Sequence, residues 1–98
     1  MPIAWVYLLR CSDGSLYCGW TNDLARRLAA HTSGRGARYT ASRRPVELAL
    51  AREMPDAGAA RREEARIKRL TRAEKLRLVD VSPAIGRRVN GAPVPPNR

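Results

Sequence analysis

Tyr7 and Tyr17, Arg27 and His31 four residues apart, and the adjacent carboxylates Glu63 and Glu64 are the side chains of this sequence best suited to act on a phosphodiester. Hydrolysis of that bond needs a base for water, cations around the charge that grows on the phosphate oxygens, and an oxygen ligand for a divalent ion. Two phenols, an imidazole, a guanidinium and a carboxylate cover those roles. Each also has an ordinary structural role: tyrosines on neighbouring strands pack as cross-strand pairs, Arg27 and His31 make a helix-surface pair, and helix carboxylates face solvent. An unperturbed phenol titrates near pH 10. To serve as a base near neutrality, Tyr7 would need a cation beside it, from a metal, Arg27 or His31.

Charge identifies the partner. The 98 residues carry 19 Lys+Arg against 9 Asp+Glu, a formal net charge of +10, which attracts a polyanion such as nucleic acid. Between residues 26 and 44 there are six arginines and no acidic residue. With Gly34 and Gly36 among them, this stretch reads as a phosphate-binding connection, and Arg35, Arg38, Tyr39, Arg43 and Arg44 are its expected nucleic-acid contacts. Residues 61–77 hold eight basic and three acidic residues. That segment reads mainly as a solvated helix face, with Glu64 and Lys68 in the favourable i,i+4 order; Lys68 is counted as a further nucleic-acid contact. One histidine and two cysteines are too few for a Cys/His zinc site and argue against a hydrolase triad. The absence of a disulfide framework fits a reducing cytoplasm. No apolar run reaches the roughly 18 residues of a membrane span. Ile3–Leu9 is too short, and lacks a basic leader, for a signal peptide.

The elements that must position these groups follow from pattern. Residues 4–10 are apolar on both parities and read as a buried strand, paired through a Ser12-Asp13-Gly14 turn with a second strand, 15–20. A two-residue turn would put Tyr7 and Tyr17 on opposite faces; a three-residue loop with Gly14 at positive φ puts both on one face. Thr21-Asn22-Asp23 caps a helix to about Thr32, with Leu24, Leu28 and His31 on its inner stripe, Arg27 at the edge and Arg26 outward. Residues 33–45 show no period. Residues 46–53 form a third strand, and 59–70 a helix whose wheel puts Glu63 nearer the buried stripe than Glu64. Thr71 and Glu74 make a capping box for a last helix to about Val79. One domain, 1–81, is expected, followed by a Pro-containing flexible tail, 82–98, and the chain is expected to be a monomer.

In this order and spacing, the residues resemble the GIY-YIG nuclease superfamily, and within it the small stand-alone bacterial YhbQ-like branch. Trp5-Val6-Tyr7 stands for the GIY element and Tyr17-Cys18-Gly19 for YIG. The resemblance continues through Thr21–His31, Ser33–Thr40, Arg43-Arg44-Pro45 and Arg62–Lys68, covering about residues 4–80. Trp5 replaces the first glycine and Cys18 the isoleucine. The resemblance implies an α+β fold, a small three-stranded antiparallel sheet flanked by helices. It implies a metal-dependent endonuclease hydrolysing DNA, serving repair or processing, with Mg²⁺ or Mn²⁺. Tyr7 would act as base or water-orienting group, Tyr17 would line the site, Arg27 would neutralise phosphate charge, His31 would face the phosphate or Tyr7, and Glu64 would hold the metal. Gly19 would let substrate or the neighbouring helix approach closely. Glu63 stays open as the alternative ligand. The competing reading is a nucleic-acid-binding module that keeps this fold with weak or no catalysis.

Overall fold

The computed structural model describes residues 3–81; the expected tail, 82–98, lies outside the described residues. Strand β1 (Ala4–Arg10) is the middle of a three-stranded sheet between β2 (Leu16–Thr21) and β3 (Glu47–Met54), and both pairings are antiparallel. Helix α1 (Leu24–Thr32) and a short α2 (Arg38–Ala41) follow β2, and α3 (Ala57–Lys68) and α4 (Arg72–Val81) follow β3. This is the α+β architecture expected from the sequence.

β1 is apolar on both parities because both faces of the sheet are covered. Val6 and Leu8 pack with Cys18, Leu50, Ala60, Ile67 and Val79 beneath α3 and α4. Tyr7 and Leu9 pack on the other face with Leu24 of α1 and Leu48 of β3, with Trp5, Tyr17 and Leu28 around them. The β1–β3 register shifts between Leu8 and Leu9, where Leu8 pairs with Leu50 and Leu9 with Leu48. Ala49 is the extra residue of this bulge, and it is buried with Leu50 on the α3 side.

The hairpin loop has three residues: Cys11 N–H donates to Ser15 O at 2.9 Å, and Gly14 holds φ +85°. Tyr7 therefore pairs with Gly19 and Tyr17 with Leu9, so both phenols share a face. Asp23 caps α1 by accepting from Arg26 N–H at 3.1 Å. Thr71 and Glu74 exchange both bonds of the capping box, at 2.8 and 3.1 Å. Two boundaries differ from expectation. α3 begins two residues earlier than Ala59, because Asp56 accepts from Ala59 N–H at 2.8 Å and caps the helix there. The connection 33–45 contains α2, which is too short to display an apolar period.

Candidate active site

The α1 face of the sheet gathers Tyr7, Tyr17, Arg27 and His31. β1 and β2 supply the phenols; α1 presents Arg27 and His31 one turn apart on the stripe that faces the sheet. Tyr7 and His31 are buried. The Tyr7 hydroxyl lies 2.9 Å from His31 Nε2, Arg27 Nε donates to that hydroxyl at 3.4 Å, and the Tyr17 ring sits 5.3 Å from the imidazole. Arg27 Nη2 is anchored by Gly36 O at 2.8 Å, whereas Arg26 is exposed.

The hydrogen-bond chain fixes the imidazole tautomer. Thr40 Oγ1, also fully buried, donates to Ala37 O at 3.2 Å and lies 2.8 Å from His31 Nδ1. With the threonine proton committed to the carbonyl, Nδ1 carries hydrogen and donates to Thr40, and Nε2 accepts from Tyr7. Arg27 N–H, Tyr7 O–H, His31 N–H and Thr40 O–H then all have acceptors; the opposite tautomer leaves the buried Tyr7 proton without one.

Burial sets the titration of this chain of groups. It pushes the Tyr7 phenol up to about 12, outweighing the lowering by Arg27's hydrogen bond and charge. Of the cations the sequence offers to Tyr7, Arg27 lowers the phenol but returns less than desolvation of a phenolate costs. Burial, then Arg27's charge, pulls His31 down to about 4, so the imidazole is neutral at pH 7 and Nε2 is free to accept. Arg27 itself is held further on the charged side, first by Tyr7's hydrogen bond.

A stability consequence follows from His31. The unfolded imidazole takes a proton near pH 6.5 and the native one only near 4. The unfolded state thus binds more protons in that window, and stability falls as pH drops from about 6.5 toward 4. Urea titrations should show a loss of roughly 2 kcal/mol by pH 4.5. A His31→Gln chain should show a much flatter profile between these pH values.

Two glycines make room for the cluster. A Cβ on Gly19 would stand 2.6 Å from the Tyr7 hydroxyl oxygen, and one on Gly36 would collide with the His31 ring and lie 2.8 Å from its Cα. Gly19 therefore admits Tyr7, where the sequence suggested substrate or a helix, and Gly36 admits His31 where the sequence suggested phosphate. Neither has positive φ; both are needed for space.

The carboxylates sit elsewhere. Glu63 bridges Arg52 of β3 at 2.6 Å and Arg66 at 2.6 and 3.0 Å, and Arg66's hydrogen bond first holds it below the usual carboxylate range. It locks α3 onto β3 and is already neutralised. Glu64 lies on the β2 side of α3: its carbonyl faces Cys18 Sγ at 3.9 Å, and its carboxylate has one ion pair, to exposed Lys68 at 3.2 Å. Among the described residues no hydrogen bond or ion pair joins Glu64 to Tyr7, Tyr17, Arg27 or His31. Among the described residues no three His, Cys, Asp or Glu converge as a ligand cluster.

Of the expected nucleic-acid contacts, Arg35 and Arg38 are exposed with guanidinium groups unpartnered among the described residues. Arg43 is engaged, donating to Asp13 at 2.9 Å and to Tyr39 O at 3.0 Å, and Arg44 donates to Ala41 O at 3.1 Å. Tyr39 stacks on Tyr17. Sequence reasoning missed Thr40 and the structural use of Gly36. Their only sequence signal is proximity to His31, too generic to single them out.

Residues 3–77 match the GIY-YIG catalytic domain. The chain belongs to this family. It is 55% identical over 71 residues to a UPF0213 protein of Nitratidesulfovibrio vulgaris, covering 72% of this chain and 64% of that protein, just under two thirds of its length. It is 46% identical over 80 residues to a UPF0213 protein of Syntrophus aciditrophicus, covering 81% of this chain and 92% of the relative. The solution NMR structure of the UPF0213 protein of Bacillus halodurans has TM-score 0.55 at 41% identity, over 82% of this chain and 85% of that one.

Within the GIY-YIG frame, the two departures fall where they are tolerated. Trp5 packs at the margin of the Tyr7 cluster. Cys18 faces the opposite core, where burial, then Glu64's charge, raises its thiol to about 11. It replaces the isoleucine of the YIG element as a small apolar residue. Both cysteines are free and buried. No helix among the described residues is long and apolar enough to cross a membrane.

Proposed function

We propose that this GIY-YIG domain binds nucleic acid along the connection 33–45, so that a backbone phosphate reaches Arg27 and the Tyr7–Tyr17 edge of the site. The observation that carries this reading is the pair of exposed guanidinium groups of Arg35 and Arg38, unpartnered among the described residues, on the acid-free connection whose Gly36 and Thr40 bond Arg27 and His31. DNA is the partner chosen for test, RNA the comparison. Two free thiols fit a reducing, cytoplasmic setting.

A second reading adds phosphodiester hydrolysis, favoured by the Tyr7–His31 bond. A phenol held near pKa 12 is no preformed base. With its proton held by neutral Nε2 2.9 Å away, the phenol oxygen can accept a hydrogen bond from the attacking water and orient it, and Arg27 offsets the charge on the phosphate. A divalent ion such as magnesium or manganese can be held by a single carboxylate when substrate phosphate and water complete its oxygen shell. Glu64, with a single exposed lysine partner, would hold it; Glu63 is committed to two arginines. A divalent ion there would supply polarisation of a phosphate oxygen and stabilisation of the leaving oxygen.

The test is binding and cleavage of linear, flapped and branched DNA with and without Mg²⁺ or Mn²⁺. Glu64→Ala is expected to abolish metal-dependent nicking, a loss of at least about 100-fold, and to leave low-salt binding within about twofold. Full cleavage by purified Glu64→Ala protein would sink the Glu64 assignment. Binding without cleavage under every metal condition would leave the domain a binding module, and absence of binding would refute both readings.

A further inference from the structure

We infer that Tyr39 and Arg43 form a stacking platform for an unpaired nucleobase, so that the preferred ligand is single-stranded or locally unpaired nucleic acid. The inference rests on the nucleic-acid reading above and names its substrate class.

Tyr17, Tyr39 and Arg43 form a stack that leads outward from His31, whose ring is tilted 60° to Tyr17. The buried His31 ring lies 5.3 Å from Tyr17, Tyr17 lies 5.8 Å from Tyr39 at an interplanar angle of 28°, and Arg43 Cζ sits 3.8 Å over the Tyr39 ring. Tyr39 is 39% exposed and, with Ile3, is one of two large hydrophobic residues so exposed among the described residues. Leaving an aromatic ring in water forgoes burial free energy, and here it stands beside Arg35, Arg38 and Arg44 with no acidic side chain in that stretch. Aromatic rings and guanidinium planes next to phosphate-gripping arginines are what a single strand recognises: the ring or fork stacks a base, and the cations track the backbone. Paired bases inside a duplex have both faces covered by their neighbours and cannot join such a layer.

Arg43 is positioned to exchange partners. Its bond to Asp13 joins side chains 35% and 49% exposed, a class of ion pair that contributes little to stability. A phosphate can therefore replace Asp13 at little cost, keeping the guanidinium charge-paired, while Tyr39 backs the guanidinium from below and the plane of Arg43 turned away from that ring receives the base. Through Tyr17, the platform is one layer from His31 and the Tyr7 hydroxyl, so a base seated there would bring its own phosphate toward Arg27.

The experiment uses the full chain with a short single-stranded DNA carrying 2-aminopurine, its RNA counterpart, and the blunt duplex. The wild type is expected to quench 2-aminopurine on binding. Tyr39→Ala is expected to remove the quench and weaken single-strand binding by roughly tenfold, several times more than it weakens duplex binding. Tyr39→Trp should restore both quench and affinity. Quenching by only one of the DNA and RNA strands would support the platform and identify its sugar. Unchanged quench and affinity in Tyr39→Ala, or equal losses on single strand and duplex, would overturn the platform while leaving nucleic-acid binding in place. Failure of the wild type to bind any of the three would overturn both.

Discussion

Tyr7→Phe is expected to lower any cleavage activity by about 100-fold, the scale of loss when an attacking group is no longer held in place, while retaining the fold. The ring still fills the space above Gly19, so the apolar packing with Leu9, Leu24 and Leu48 survives. The hydroxyl does not. His31 Nε2 loses its donor and Arg27 Nε its acceptor, and a buried group left unpaired costs about 1–3 kcal/mol. His31 provides a readout that needs no substrate. Its neutral form is held by burial and by Arg27's charge, and a hydroxyl donating to Nε2 favours that form because the protonated ring has no lone pair there to accept it. Removing the donor should move the imidazole's titration upward from about 4, as NMR of the ring would record. Undiminished cleavage with an upward-shifted His31 would show that the phenol is structural.

Gly36→Ala is expected to cost about 1–3 kcal/mol, as for overpacking of a filled interior, and to scatter the site. Its new methyl would lie 2.6 Å from His31 Cγ and 2.8 Å from His31 Cα. The latter is backbone and cannot swing aside. The connection must retreat, and it carries both the carbonyl that anchors Arg27 and the Thr40 hydroxyl that fixes the imidazole. Thermal unfolding gives the stability loss, and loss of the slow-exchanging His31 ring proton by NMR reports the broken Thr40 bond. Gly34→Ala is a useful contrast, because Gly34 has φ +89° and its nearest neighbour is the flexible end of Arg44. Its penalty is one of backbone conformation, and the His31–Thr40 bond should persist.

Much of this fold was legible in the sequence because the signals were local. Tyr17 follows Tyr7 by ten positions, and a loop with glycine at its third position sets their shared parity whatever else the chain does. Asp23 and the Thr71–Glu74 box mark helix starts through hydrogen bonds to residues three positions away. Arg27 rather than Arg26 facing the sheet follows from helical period once Leu24 and Leu28 are placed inward. Helix α2 and Thr40 were not legible, since a four-residue helix completes barely one turn and offers no period to detect.

Tertiary structure decided the rest, because those properties depend on what lies on the far side of each group. Whether Tyr7 titrates low or high turns on the balance between one guanidinium and burial beneath α1, and burial prevails. Whether Glu63 or Glu64 is free to take another partner turns on Arg52, eleven residues away in sequence but on the strand that α3 crosses. Gly19 and Gly36 read as generic openings in the sequence, and only packing shows that the protein fills them with its own Tyr7 and His31. The sequence by itself determined a basic α+β domain with two phenols on one strand face and an arginine and a histidine on the helix covering it. Folding decided that these groups form one hydrogen-bonded chain with a single tautomer, because a proton's position is set by acceptors contributed from several distant segments.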